Sequence, residues 1–308
     1  MGKPIYVEIA IRAPLDEVWR LTQSPDLHQR WDLRFTRIAY LPRADPGEPQ
    51  RFLYETRIGF GLGVSGEGES VGERDLADGT RSSALRFWSA DPKSLIGEGS
   101  GYWKYVPDGA SIRFLTRYDY APRFGPPGRW LDALVFRPLL GWATAWSFDR
   151  LRRWLEQGLE PEAALRQALI HAAARGSLAA VWIYQGLVPK LLAPERGELA
   201  LLQATGLFAK LLGGYERPTL ALLGLAEIGL GLLMLARPRA RWPFAATLLV
   251  LPAFALGALF AAPTSFLAPF NPPTLILAMA ALASIGWWAS RDAVSARHCR
   301  RRPGSGGA

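Results

Sequence analysis

Cysteine and histidine are almost absent from this chain of 308 residues. It contains one cysteine, Cys299, and three histidines, His28, His171 and His298. A single cysteine cannot form a disulfide framework. So few histidines exclude most metal sites and most pairings of a nucleophile with a histidine base. The sequence therefore predicts no metal site, and no catalytic residue can be named.

Charged residues are scarce in the second half of the chain, and most of them are basic. Through Glu160 there are 22 Lys or Arg and 21 Asp or Glu, whereas from Pro161 onward there are 14 and 6. These basic residues lie at the ends of apolar runs, as at the cytoplasmic ends of membrane helices. A nucleic-acid-binding protein would set them among polar and aromatic residues. We therefore predict membrane lipids as partners and no nucleic acid.

The first residues, MGKPIYVEIAIRAP, carry no targeting signal. They lack the apolar core of a signal peptide, and Tyr6 stands where a myristoylation signal has Ser or Thr. We therefore expect the first half of the chain to remain in the cytoplasm.

Residues 1–160 have the pattern of one α+β domain. The segment IYVEIAI alternates like a strand, and two short helices, DEVWRLTQ and LHQRW, follow it. A long helix, with a bend at Pro138, is predicted over 129–156. Such a helix would cover the apolar face of an antiparallel sheet. Period-two alternation predicts the six remaining strands near 34–41, 50–59, 64–75, 81–89, 94–106 and 111–120.

Gly61, Gly63 and Gly66 match the GxGxxG pattern of dinucleotide-binding proteins. That pattern requires a helix directly after it. The residues that follow, GESVGERDL, have the character of a strand, so we interpret the glycines as a hairpin or bulge.

The opening strand that leads into APLDEVWRL, then SPDLHQRWD and the closing amphipathic helix resemble the START-like polyketide cyclase/dehydrase superfamily (SRPBCC) over about residues 3–157. The resemblance implies a helix-grip fold, in which a curled sheet and a long helix enclose an apolar cavity. Because the superfamily holds carriers, cyclases, hydrolases and regulators, the resemblance does not name a reaction.

Aromatic and charged residues of the strands and the long helix are candidates to line such a cavity. Each aromatic could equally belong to the core, and each charge could face water. An inward charge would orient a ligand or exchange protons. The candidates are Tyr54, Glu55, Arg86, Trp88, Trp103, Arg117, Tyr118, Trp142 and Trp146.

The second half predicts four membrane helices, at 177–193, 220–236, 242–262 and 274–289. With the first domain inside, ten basic residues flank the spans on the inner side and four on the outer side, as the positive-inside rule requires. We therefore predict a multi-pass protein of the cell (inner) membrane with both termini cytoplasmic. The segment 194–217 is amphipathic, and whether it is interfacial or re-entrant stays open.

The phrase WIYQGLVPKLLAP, the span that carries Glu227 and the segment APFNPPTL resemble DoxX-like membrane proteins over about residues 175–290. The family's biochemical role is poorly defined, and some relatives are described as quinone-reducing subunits. The resemblance therefore implies a link to quinones, although no cofactor is evident in the sequence itself.

A glutamate near the middle of a membrane span, Glu227, is a functional candidate because a charged group there costs several kcal/mol unless it is paired. Gly224 and Gly231 would allow a neighbouring helix to approach closely. We expect Glu227 to be protonated or to form a polar cluster with Gln185, Lys190 or Asn271.

The sequence thus predicts a helix-grip domain (1–160), a linker (161–176), an all-α four-helix transmembrane bundle (177–290) and a disordered basic tail (291–308). The leading hypothesis is a membrane protein whose cytoplasmic domain binds an apolar, lipid-like or polyketide-like molecule. The alternatives are a quinone-linked oxidoreductase subunit and a purely structural anchor. Whether the protein is an enzyme, and its oligomeric state, stay open.

Overall fold

The computed structural model describes residues 3–303, except 46, 60, 197, 205–213, 262, 268, 270 and 292. The chain forms two compact units. Residues up to 164, together with those from 294 onward, form the first, which we call the sheet unit. Residues 165–293 form the second, which we call the helical unit.

The sheet unit is built on one seven-stranded antiparallel sheet, as predicted from the period-two segments. Its strand order is β1-β7-β6-β5-β4-β3-β2, so consecutive strands pair except that β1 pairs with β7. The strands are β1 (Ile5–Ile11), β2 (Arg37–Tyr40), β3 (Arg51–Gly59), β4 (Leu62–Asp75), β5 (Arg81–Trp88), β6 (Ile96–Asp108) and β7 (Ser111–Pro122).

Glycines on the inner face of this sheet make room for aromatic rings. A Cβ atom at Gly66 would lie 2.3 Å from the ring of Tyr54, and one at Gly99 would lie 2.5 Å from the ring of Phe87. The glycine-rich GxGxxG segment is therefore a hairpin, as predicted: Gly61, with a φ of 75°, forms the turn between β3 and β4. Its third glycine, Gly66, accommodates a ring and is not followed by a helix.

Helices cover the inner face of the sheet. The long helix predicted from Arg129 forms in three consecutive pieces, with a π-helical turn, Asp132–Phe136, directly before Pro138. Because proline has no N–H to donate, the helical hydrogen-bond pattern changes at this point. The helices are α1 (Leu15–Gln23), α2 (Pro25–Trp31), α3 (Gly125–Leu131) and α4 (Arg137–Gln157).

The chain segment 294–303 also packs on the sheet unit, although the tail from residue 291 was predicted to be disordered. Arg300 and Glu8 exchange two backbone hydrogen bonds of 2.9 Å, which adds a one-residue bridge to the outer edge of β1. The buried carboxylate of Asp149 on α4 accepts from Ser295 N at 2.8 Å and contacts His298 Nδ1 at 2.9 Å. The basic composition suggested disorder, but an open sheet edge and a buried carboxylate bind this segment.

Among its described residues, the helical unit contains three helices long and apolar enough to span a membrane, at Glu216–Ala236, Trp242–Phe260 and Pro272–Ala289. These correspond to the second, third and fourth predicted spans. The region of the first predicted span is helical too, but it does not meet the same criterion over the residues that the structure describes. The helices are α5 (Pro161–Leu187), α6 (Glu198–Ala204), α7 (Glu216–Ala236), α8 (Trp242–Ala261) and α9 (Pro272–Ala289), with a π-helical turn at Val188–Leu192.

Helices α5 and α7 pack closely and run antiparallel. A Cβ atom at Gly224 would lie 2.7 Å from the carbonyl oxygen of Gly186, and one at Gly231 would lie 2.8 Å from that of Ala179. The prediction that Gly224 and Gly231 admit a neighbouring helix is thus confirmed. The segment 194–217 was predicted to be either an interfacial or a re-entrant segment. Its first part contains the helix α6, but residues 205–213 lie outside the described residues, so the prediction for this segment stays open.

Arg175 on α5 is a buried charge with a structural role. Its guanidinium donates to the backbone carbonyls of Met234 at 3.0 Å, Arg237 at 3.2 Å and Ala240 at 2.7 Å. These carbonyls lie at and beyond the C-terminus of α7, where no helical N–H is available to them. Arg175 therefore fixes the connection between α7 and α8.

Candidate functional sites

The nine predicted cavity residues lie on different sides of the sheet unit. Tyr54, Trp103, Tyr118 and Trp146 are buried on the inner side. Trp142 stacks on Trp146 but is 39% exposed.

The other four predicted cavity residues lie on the outer face of the sheet. Glu55 contacts Arg37 and Arg57, and Arg86 pairs with Glu69. Glu55 follows the inward-facing Tyr54 in β3, and Arg117 precedes the inward-facing Tyr118 in β7. Because adjacent strand residues point to opposite faces, the side chains of Glu55 and Arg117 face outward. Trp88 shares the face of Arg86 and is opposite Glu67 in the register. The prediction that Glu55, Arg86, Trp88 and Arg117 line a cavity was therefore wrong.

A surface depression of about 350 Å³ lies elsewhere, between α1, α2 and the end of α4. It is lined by Leu21, Leu27 and Trp154 among others, and none of the predicted cavity residues contributes to it.

The interior of the sheet unit holds a cluster of ionisable side chains that sequence reasoning did not identify. Asp32 directly follows α2 and is almost fully buried. Its Oδ1 accepts from Arg34 Nε at 2.9 Å, and its Oδ2 lies 3.0 Å from His28 Nε2. His28, Asp32 and Arg34 therefore form one connected set, which we call the inner polar cluster.

Aromatic rings surround the inner polar cluster. The imidazole of His28 packs 4.9 Å from Trp103 and 5.0 Å from Trp31, measured between ring centroids. The guanidinium of Arg34 lies 5.4 Å from the ring centre of Phe35 and 5.5 Å from that of Tyr118. The Tyr118 hydroxyl lies 2.8 Å from Thr144 Oγ1 on α4. A few polar groups thus sit inside an otherwise aromatic enclosure.

Burial and mutual contact shift the pKa values of these groups. Burial alone would raise the pKa of Asp32, but the charge and hydrogen bonds of Arg34 and His28 hold it well below its usual range. Burial lowers the pKa of His28 despite the neighbouring Asp32 carboxylate. It raises the pKa of Tyr118, only partly opposed by Arg34. At neutral pH the cluster therefore holds a carboxylate, a guanidinium and a neutral imidazole.

The helical unit contains a second cluster, formed where the π-helical turn after α5 meets α6 and α7. Lys190 Nζ lies 2.9 Å from Glu227 Oε2 and 2.7 Å from Glu198 Oε1. It also donates to the backbone carbonyl of Gln185 at 3.2 Å. The side chains of Lys190 and Glu227 are each 4% exposed, whereas that of Glu198 is 32% exposed. We call these three side chains the lysine–glutamate cluster.

The four residues of the predicted membrane cluster come together only in part. Lys190 and Glu227 come together, and Gln185 contributes its backbone carbonyl. The side chain of Asn271 instead accepts from Thr274 N at 3.0 Å and caps the start of α9. Glu198 was not predicted, because it belongs to a segment whose path the sequence left open. The Lys190–Glu227 contact does not have hydrogen-bond geometry, and Glu227 Oε2 is buried without another partner among the described residues.

Comparison with known proteins finds a family match within the helical unit. A model of the DoxX-like family matches residues 179–284, within the predicted range. The chain is 53% identical over 185 residues to the uncharacterized membrane protein YndG of Bacillus subtilis (strain 168), which covers 60% of this chain and 69% of that protein. The predicted DoxX-like resemblance and the membrane location are therefore confirmed.

The similar solved structures include proteins of the START-like and cyclase type. One is a STAR-related lipid transfer protein fragment from Xanthomonas axonopodis, 17% identical with a TM-score of 0.39, covering 49% of this chain and 84% of that one. Another is the Zhui aromatase/cyclase from Streptomyces sp. R1128, 15% identical with a TM-score of 0.38, covering 51% and 97%. By its 53% identity to YndG, the chain belongs to the family of that membrane protein, with a DoxX-like segment in its helical unit.

Proposed function

We propose that this membrane protein binds an apolar small molecule, lipid-like or polyketide-like, inside its sheet unit, while the helical unit anchors it. The inner polar cluster is the observation that carries the proposal. Enclosing charged groups in apolar surroundings costs free energy, so such groups are more frequent where they serve a site. Aromatic walls with a few fixed polar groups are typical of small-molecule sites.

The chemistry of the cluster suggests what part of the ligand it holds. Arg34 can donate to a ligand oxygen, and Asp32 fixes the orientation of its guanidinium. The Tyr118 hydroxyl donates to Thr144 Oγ1 and accepts from Arg34, so it helps to hold the guanidinium in place. A carbonyl or carboxylate on an otherwise apolar molecule would accept from this guanidinium. The surrounding rings would contact the apolar part.

Replacing Tyr118 by phenylalanine is expected to weaken ligand retention up to about tenfold, because Arg34 loses the hydroxyl that helps to hold its guanidinium while the ring remains. Native mass spectrometry of the full-length protein would measure the bound fraction. Arg86→Gln, on the outer face, is the matched control and should retain the ligand fully. Folded protein without any bound small molecule would contradict the proposal. So would Tyr118→Phe and Arg34→Gln variants that both retain the ligand as fully as the unsubstituted protein.

The proposed topology has four crossings of the inner membrane, with both termini in the cytoplasm. Residues up to 164 and those from 294 onward belong to one folded unit, which must lie on one side of the bilayer. The chain between them then crosses an even number of times. Helix α5 is the natural fourth span beside the three candidate helices, since it runs antiparallel to α7 with backbone contact at Gly186 and Gly224.

The lysine–glutamate cluster favours a second candidate function, in which Glu227 exchanges protons within a quinone-linked complex. One lysine faces two carboxylates, and Glu227 Oε2 is buried without a hydrogen-bond partner among the described residues. Glu227→Gln should then abolish the part of NADH-driven reduction of a short-chain quinone that depends on this protein in membranes. Glu216→Gln, at the half-buried first residue of α7, should not. Equal rates in both variants would reject this candidate.

A further inference from the structure

The sheet unit exposes a stripe of large apolar side chains along α3, the π-helical turn and the first half of α4. Trp130 is 73% exposed and Leu134 is 66% exposed. We call this set of exposed side chains the apolar stripe. Its members are Phe124, Trp130, Leu131, Leu134, Val135, Leu139 and Trp142.

The stripe lies on the side of the helix that faces away from the sheet. Leu131, Val135 and Leu139 follow one another at intervals of four residues, which places them on one helical face. On the opposite side, Asp132 is buried and accepts from Arg137 Nε at 2.8 Å. A helix that packs on a core normally turns its apolar side chains inward and its charged side chains outward, which is the opposite of the arrangement here. Contiguous exposed apolar surface of this kind indicates a binding surface.

The charge around the apolar stripe is basic. Between residues 121 and 142 the sequence contains one acidic residue, Asp132, and this residue is buried. Arg129 is exposed within the stripe, and Arg301 of the C-terminal segment donates to the carbonyl of Pro138 at 3.2 Å. Exposed apolar side chains with a basic rim match the headgroup region of an anionic lipid bilayer.

We propose that the apolar stripe lies in the interfacial region of the membrane, with its basic rim on anionic headgroups. The bilayer fits better than a protein partner because the chain is a membrane protein, so lipid is always within reach of the sheet unit. Tethering raises the effective concentration of the surface, and even weak lipid affinity then holds the stripe in place. The proposal is independent of what the inner polar cluster binds.

The test uses the full-length protein in liposomes with a fluorescent label on a Leu134→Cys variant. The native Cys299 is buried, and a labelling reaction on unsubstituted protein measures its background. Brominated lipids should quench the label at position 134, and aqueous iodide should not. The matched control is Leu76→Cys at the exposed turn between β4 and β5, where iodide should quench and brominated lipids should not.

Two outcomes would overturn the proposal. Quenching of the Leu134→Cys label by iodide alone would show that the stripe faces water, and protection from both quenchers would show that protein covers it. Lipid composition tests the basic rim separately: quenching by brominated lipids should fall several-fold when anionic lipid is replaced by neutral lipid. Equal quenching in the two lipid mixtures would contradict the assignment of anionic headgroups.

Discussion

Replacing Lys190 by methionine is expected to destabilise the helical unit by about 3–5 kcal/mol, because the substitution leaves the buried Glu227 carboxylate without its cation. Methionine has a similar length and loses little packing, so the effect would report the missing charge. Chemical unfolding of the full-length protein in detergent would measure it. The expected cost is large because the side chains of Lys190 and Glu227 are both almost fully buried.

The double variant Lys190→Met with Glu227→Gln should recover most of this loss, since removing both charges of a buried pair costs far less than removing one. The exposed pair Arg217–Glu195 provides the matched control. Arg217→Met should change stability by less than about 1 kcal/mol. If Lys190→Met and Arg217→Met have equal effects, the lysine–glutamate cluster is not a buried ion pair.

Replacing Asp149 by alanine is expected to release the segment 294–303 from the sheet unit and to destabilise that unit by about 3–5 kcal/mol. Asp149 is fully buried and accepts from Arg152 Nε at 2.9 Å as well as from Ser295 N. The substitution leaves the Arg152 guanidinium and the Ser295 N–H without this acceptor, and both effects are costly.

Hydrogen exchange followed by mass spectrometry can observe this release directly. Exchange should rise in the peptide 294–303 and in β1, because Glu8 and Arg300 protect each other's amides. The matched control is Asp16→Ala, since Asp16 is exposed and its ion pair with Arg81 lies at the surface. Unchanged exchange in 294–303 would show that Asp149 does not hold the segment.

The order of strands and helices in the sheet unit was largely predictable from the sequence. The face of the sheet to which individual side chains point was predicted less well. Period-two alternation located every strand to within a few residues, since half-buried strands impose it on the sequence. Alternation also forbids Tyr54 and Glu55, or Arg117 and Tyr118, from sharing a face. A bulge between Ser70 and Gly72 changes the register of β4, and no local pattern announced it.

The inner polar cluster was missed because its residues look like surface residues in the sequence. LHQRWDLR reads as a short amphipathic helix followed by a polar turn, and the burial of Asp32 arises from packing with distant elements. Lys190 and Glu227 were identified because charges are conspicuous in an apolar run. Glu198 was not identified, since its contact with Lys190 depends on the path of the chain after the π-helical turn at Val188–Leu192.

The bridge between Glu8 and Arg300 has a consequence for the order in which the protein matures. The first strand of the sheet unit acquires its outer neighbour only after the whole helical unit has been synthesised. At about 5–20 residues per second, the ribosome needs roughly 6–26 s to pass from residue 164 to residue 294. During that interval the edge of β1 is an open template for incorrect pairing. Synthesis of the helical unit thus precedes formation of the Glu8–Arg300 bridge, and the outer edge of β1 stays open until the C-terminal segment has been made.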